Sequence, residues 1–244
     1  MKADLWEPPA GKGARALCLG GGTICEAVID PLLDLGCRVV VVDRDRNCKV
    51  AHRCREAGIE DRLWSHAEPS LVLGDAIWTA ARLMERMEVD LLVPGVPGHA
   101  LARLAMVWAD GRLSPRGSAA ILGSLNEALS GNGTATMDPD NGTTISTLND
   151  GTAPCPLECP QEGACPLTGR PRELDMDKVL ERLIGEMSFK GSVVKPLRVA
   201  HYGVVTAEQM RDLKFMLDEL EKGDAVAIAT SCSCHAVMNI FKVC

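Results

Sequence analysis

Aromatic side chains are scarce: the 244-residue chain holds one Tyr, three Phe and four Trp. Any core must therefore rest on Leu, Val, Ile, Ala and Met, and the 46% hydrophobic content is enough to build one. No apolar run reaches the roughly 18 residues that a membrane-spanning helix needs, which argues against a membrane partner. Positive charge is in deficit, with 26 Lys and Arg against 33 Asp and Glu and a net charge of −7. Phosphate backbones and anionic lipid surfaces attract cations, so this balance argues against nucleic acid, while leaving room for a local basic pocket. The N-terminus is polar, carries Pro8 and Pro9, and lacks the apolar stretch of a secretory leader. The expected location is therefore cytoplasmic, where thiols stay reduced. Cysteine, by contrast, is plentiful, and eleven of them in a reducing compartment need an explanation other than disulfides.

Residues 15–108 alternate between short apolar runs and helical patterns. Residues 16–19 stop at Gly20-Gly21-Gly22, and residues 24–35 come next with Val28, Leu32 and Leu35 on one face and Gly36 as the stop. Residues 38–43, Arg-Val-Val-Val-Val-Asp, form the β-branched run of a strand buried on both faces of a parallel sheet. A polar helix is predicted over 47–57, strands over 71–75 and 89–93, and a helix over 76–87. Strands separated by helices of this length imply right-handed crossovers and a parallel sheet.

From Asp110 onward Gly, Ser and Pro mark a linker. Beyond it the pattern predicts a helix over 119–129 and a hairpin over 134–148 turning at Asn141-Gly142. Residues 154–171 are too rich in Pro for regular structure. Next are a helix over 174–187, a strand over 193–205 interrupted by Pro196, a helix over 207–221 and a buried strand over 225–230. The chain should then close with Ser231-Cys-Ser-Cys-His235 and a short terminal helix. The fold class is α/β: a Rossmann-like nucleotide-binding domain over 1–110 and an α+β cysteine-rich region over 111–244.

Gly20, Gly22 and Cys25 occupy the three positions of the dinucleotide fingerprint G-x-G-x-x-G. The first glycine allows the tight turn, the second lets the backbone approach a pyrophosphate, and the third position needs a small residue where helix meets strand. The helix N-terminus then offers N–H groups and a positive dipole to phosphate. Asp43 stands about twenty residues further on, where an acid would bind the adenosine-ribose hydroxyls. Arg44 and Arg46 beside it could instead meet a 2′-phosphate, so NAD and NADP both stay open. Gly21, Asp75, Gly95 and His99 complete the candidate nucleotide-binding residues. Asp75 reaches ribose or caps the next helix, and His99 acts as acid or base or caps a helix itself.

Leu19-Gly-Gly-Gly22, Val41-Val-Asp-Arg-Asp45, Val72-Leu-Gly-Asp75 and Asp90-Leu-Leu-Val93 together resemble the nucleotide-binding domain of TrkA-type potassium-transport regulators over residues 17–106. That resemblance implies a Rossmann fold binding NAD or adenine nucleotides. Cys25 and the loop 94–98 depart from the family pattern. The glycine turn is also similar to that of precorrin-2 dehydrogenases, which implies NAD-linked redox chemistry. An S-adenosylmethionine-dependent methyltransferase is the other doubly wound option, although no methyltransferase motif comes after the fourth predicted strand.

The sharpest feature lies in the second half: Cys155, Cys159 and Cys165 fall within eleven residues, each followed by Pro. Thiols this close in a reducing compartment are metal ligands or redox partners. Their x3, x5 spacing is neither the bacterial ferredoxin pattern nor a zinc-ribbon pair. A closed site needs a fourth ligand, and Cys232, Cys234 and His235 are the donors at the end of the last predicted strand. Several cysteines favour an iron–sulfur cluster, with zinc as the alternative. Cys18 and Cys37 read as small core residues, Cys48 and Cys54 as helix cysteines with no role, and Cys244 as a terminal thiol. His201, Tyr202 and the Arg170/Arg172 pair carry no assigned role. The expectation is an NAD(P)-linked oxidoreductase with an iron–sulfur cluster and a small-molecule nucleotide as partner. A nucleotide-sensing module with structural zinc is the alternative, and either is compatible with a homo-oligomer.

Overall fold

The structure, a computed structural model, describes residues 13–60, 62–115, 119–129, 133–138, 140–148, 159, 163–167, 169, 171, 174–199 and 201–244. In chain order the elements are β1 (Arg15–Leu19), α1 (Thr23–Asp34), β2 (Arg38–Asp43), β3 (Arg55–Ala57), β4 (Ser70–Leu73), α2 (Ala76–Arg86), β5 (Leu91–Val93) and α3 (Ala100–Trp108). Then come β6 (Leu113–Pro115), α4 (Ala119–Leu129), β7 (Thr134–Asp138), β8 (Thr143–Thr147), α5 (Met176–Glu186) and β9 (Lys190–Val194). The chain finishes with β10 (Leu197–Val199), β11 (Tyr202–Thr206), α6 (Ala207–Asp218), β12 (Ala225–Ser231) and β13 (His235–Val243). It divides into two units, Met1–Val107 with Leu197–Arg211, and Trp108–Pro196 with Asp212–Cys244. Among the described residues no helix is long and apolar enough to cross a membrane.

The sheet of the first unit runs β10-β11-β5-β1-β2-β4-β3. Its five strands from β5 to β3 are parallel, and Val39 to Val42 of β2 are buried, as a run enclosed on both faces requires. The sheet is mixed, however, because β11 pairs antiparallel with β5 and β10 with β11. The reversal between those two strands passes through His201 at φ 72°. Cys25, Val28, Ile29 and Leu32 form the buried face of α1. The helix ends on Gly36 at φ 76°, where the Gly36 N–H donates to the Leu33 carbonyl and the Cys37 N–H to that of Leu32. That pair of bonds closes a helix end only when the residue after the cap is left-handed, so glycine suits the position.

Residues 47–57 do not form the predicted helix. Asp45 accepts the Asn47 N–H on its side chain and the Cys48 N–H on its carbonyl, and Val50 donates to the Gly21 carbonyl. These local bonds divert the backbone from a helical ladder. The chain instead makes a single 3-10 turn at Ala51–Arg53 and then enters β3 on the sheet edge.

The sheet of the second unit runs β7-β8-β13-β12-β9, with β6 also on β13. Among the described residues of this sheet only β12 and β9 pair in parallel. Ile121, Leu125 and Leu129 of α4 and Val179, Leu180, Leu183 and Ile184 of α5 share a core with Ala227, Ala229, Ala236, Met238 and Ile240. Residues 235–243 are therefore a strand, not the short terminal helix expected. The alternation of Ala236, Met238 and Ile240 supplies one sheet face to that core, and the ladder to β12 satisfies the backbone. The single strand expected over 193–205 is three strands in two sheets. Pro196 has no N–H for a ladder, and there the chain leaves the second sheet for the first.

Candidate functional site

Two places collect the residues with chemistry. The first is the turn after β1. Gly20 has φ 89°, donates its N–H to the Val42 carbonyl at 2.8 Å, and packs so closely on the loop after β5 that a Cβ there would stand 3.1 Å from the Gly95 carbonyl oxygen. Gly95 is held in the same way, since its Cβ would lie 2.8 Å from the Leu19 carbonyl oxygen. A Cβ on Gly21 would run into Cys48 Sγ. Gly22 differs: a Cβ there meets nothing within 4 Å, and it begins α1 with no side-chain cap. The turn is thus packed at Gly20 and Gly21 and open at Gly22, in front of an uncapped helix N-terminus. Cys25, in the third fingerprint position, is fully buried beside Cys18 of β1.

Asp43 fixes this turn. One of its carboxylate oxygens accepts the Gly21 N–H at 2.6 Å and the other the Asp45 N–H at 2.8 Å. A carboxylate has about four lone-pair sites, so both oxygens keep accepting capacity. Asp75 is the N-cap of α2, accepting the N–H groups of Ile77 and Trp78 on one oxygen and Arg44 Nη2 at 2.6 Å on the other. The Trp78 N–H first, then Arg44 and the Ile77 N–H, hold its pKa below the usual value. His99 is buried immediately before α3, where its carbonyl accepts the Arg103 N–H.

The second place is the turn Cys232-Ser-Cys234 between β12 and β13. The Cys232 N–H donates to the His235 carbonyl at 2.9 Å, and Ser231 Oγ donates to the carbonyls of Cys232 and His235. Cys232 Sγ lies 3.7 Å from His235 Nδ1. Cys234 and Ser233 are buried. The Leu148 N–H, just after β8, donates to the Cys234 carbonyl at 2.8 Å, and the Met176 N–H, at the start of α5, donates to the Ser233 carbonyl at 3.0 Å. The cysteine stretch lies in sequence between those two donors. Cys159 is buried, and Cys165 is half-buried with its carbonyl accepting the Gly169 N–H. Cys155 lies outside the described residues, as do Arg170 and Arg172. None of Cys159, Cys165, Cys234 and His235 is without a partner. Among the described residues no three His, Cys, Asp or Glu groups gather closely enough to hold a metal ion.

Residues 100–244 match the family model AF_1314_C, described as an uncharacterized protein, C-terminal domain. The chain belongs to this family. The comparisons with curated proteins and with solved structures find no match. The AF_1314_C region holds the cysteine stretch, the cysteine turn and His235, while the glycine turn and Asp43 precede it.

The AF_1314_C region also contains a polar pair that the sequence pattern does not reveal. Asp177, in the first turn of α5, is 4% exposed, and Lys195 Nζ bonds its Oδ2 at 3.1 Å. Its Oδ1 is buried without a hydrogen-bond partner. The two residues sit beside the cysteine turn: Met176 donates to Ser233, and Val194 pairs with Thr230 of β12. In sequence Asp177 looks like an ordinary acid of a helix's first turn, and only the pairing of β9 with β12 brings Lys195 to it.

Proposed function

We propose that the chain is a nucleotide-binding redox protein. Its first unit takes NAD or NADP across the glycine turn, and its second holds an iron–sulfur cluster on cysteine thiolates. One observation carries the reading: the hydrogen bonds from Leu148 to Cys234 and from Met176 to Ser233 anchor the chain on either side of the segment that carries Cys155, Cys159 and Cys165 to the turn bearing Cys232 and Cys234. Cys155, Cys159, Cys165 and one of Cys232 or Cys234 would be the ligands, although the described members of that set do not gather in the structure, and such a cluster, when bound, supplies one-electron transfer.

The nucleotide half rests on topology as well as on the turn. The order β4-β2-β1-β5 is that of the first strands of a Rossmann sheet, 3-2-1-4, with the glycine turn after the first strand. Gly22 leaves room for a pyrophosphate in front of α1, and Asp43 keeps lone pairs for ribose hydroxyls. This is also where the TrkA-type resemblance places its nucleotide.

His235 Nδ1 beside Cys232 Sγ favours a second reading, because nitrogen and sulfur donors together suit zinc. In that case the chain is a nucleotide-sensing module stapled by a structural ion. Anaerobic purification followed by visible spectroscopy and elemental analysis separates the two. Broad visible absorption bleached by dithionite, with stoichiometric iron and sulfide, supports the redox reading. A colourless protein with one zinc supports the staple, and a protein with neither overturns both. Titration with NADH against S-adenosylmethionine tests the nucleotide half, and binding of S-adenosylmethionine alone would make it a methyltransferase site.

A further inference from the structure

We propose that the glycine-turn site selects NAD over NADP and stacks its adenine on Trp78. This rests on the nucleotide-binding proposal and adds to it the identity of the base platform and of the ribose 2′-substituent.

Asp43 ends β2 and Leu73 ends β4, and the two are direct partners in adjacent parallel strands. The Gly74 N–H donates to the Asp43 carbonyl at 2.9 Å, which ties the two strand ends together. With pyrophosphate over Gly22 and ribose on Asp43, the base extends to the side away from β1, toward the end of β4. That rim presents exposed apolar surface: Leu73 is 36% exposed, and Trp78, in the first turn of α2, is 62% exposed. Asp75 accepts the Trp78 N–H and so fixes the backbone that carries the indole. A rigidly based, solvent-facing indole is a stacking platform for a planar base.

The charges on the same rim decide the ribose. Arg44 pairs with Asp75 at 2.6 Å, Arg46 with Glu56 at 3.0 Å and Lys49 with Glu26 at 3.3 Å. Asp43 and Asp45 add two carboxylates, so three cations stand against five acids. These ion pairs are exposed and individually weak, so the sign of the rim's charge matters more than the strength of any pair. A 2′-phosphate, carrying close to two negative charges, meets a net negative rim whose arginines already have partners. A 2′-hydroxyl needs only an acceptor, which Asp43 supplies.

Calorimetric titration of the full chain with NADH and NADPH tests this. NADH is expected to bind at least about 10-fold more tightly. Trp78→Ala should weaken NADH binding by roughly 10-fold or more, with Trp78→Phe keeping most of the affinity. Quenching of tryptophan emission by oxidised NAD should disappear in Trp78→Phe. Asp75→Asn combined with Glu56→Gln removes two negative charges while Asn still caps α2, and should shift the NADPH-to-NADH affinity ratio toward NADPH by about 10-fold or more. Circular dichroism melting confirms that each variant folds. Equal affinity for the two dinucleotides overturns the selectivity, and NADH binding unchanged in Trp78→Ala overturns the platform, both leaving the nucleotide reading in place. A wild-type chain that binds neither dinucleotide overturns that reading together with this one.

Discussion

Replacing Gly22 by Ala separates binding from folding at the glycine turn. Gly22 has φ −84° and ψ −156°, which an alanine adopts without strain, and its added Cβ meets no atom within 4 Å. The structural cost is confined to weaker capping of α1, about 1 kcal/mol. For a chain of this size that is a drop in melting temperature of about 2–4 °C. The methyl group nevertheless fills the space through which a pyrophosphate approaches the backbone. The dissociation constant for NADH should therefore rise at least about 10-fold, or about 1.4 kcal/mol. Gly21→Ala is the contrasting variant. Its Cβ would strike Cys48 Sγ and lie 3.0 Å from Cys48 Cβ and 3.2 Å from Val50 Cγ2, overpacking that costs about 1–3 kcal/mol. Adding Cys48→Ala should recover part of that loss. Melting and titration on the same preparations read both quantities. Wild-type NADH affinity in a well-folded Gly22→Ala protein would refute the placement of phosphate on this turn, and an unshifted melt in Gly21→Ala would refute the packing of Cys48 upon it.

Cys159→Ser combined with Cys232→Ser should reduce bound iron from stoichiometric to near zero in anaerobic preparations, and full iron content in that variant would remove the cysteine site. Lys195→Ala strands the buried Asp177 carboxylate with neither oxygen paired to a side chain, so urea unfolding should show a loss of about 1–3 kcal/mol, partly restored by Asp177→Asn in the same chain. Burial pushes the Cys37 thiol up to about 11 and the Cys54 thiol up to about 12, from an ordinary 9.0. The unfolded chain then loses these protons first, so their contribution to stability is complete below pH 9 and is lost as the pH climbs through 11 to 12. A Cys37→Ala, Cys54→Ala variant should show a shallower alkaline fall in urea midpoint, and an unchanged slope would contradict this.

Sequence reveals what a residue type imposes locally. The Val39–Val42 run, the Gly36 stop and the Asn141-Gly142 hairpin each stem from one residue's backbone or packing requirement, and α4 spans Ala119–Leu129 as its pattern implies. The glycine turn is visible for the same reason. Local pattern misleads where a distant partner decides. Residues 55–57 pair with β4 through a register that no local pattern encodes. The final strand is hidden because the Cys232-Ser-Cys234 turn looks like an ending when it is the hinge of a hairpin. Pro196 reads as an interruption, but that the chain changes sheets there is a tertiary fact. Asp75 in sequence suits ribose and cap equally, and the cap bonds are what the fold adds.

The cysteines fall into two populations by their place in the fold. In the first unit Cys18 is held well above the usual thiol range by its hydrogen bond with Cys25 and by burial, and burial also raises Cys37, Cys48 and Cys54. All four pack in or against the hydrophobic core of the first unit. Among the described cysteines of the second unit, Cys232 and Cys234 form the turn, while Cys159 and Cys165 lie in the segment between Leu148 and Met176, both of which bond to it. Cys244 stands apart. It comes after the far end of the nine-residue β13, and at about 3.4 Å per residue the strand places it roughly 30 Å from the turn. On the proposed ligand set, Cys244→Ser should leave metal content untouched while Cys159→Ser does not.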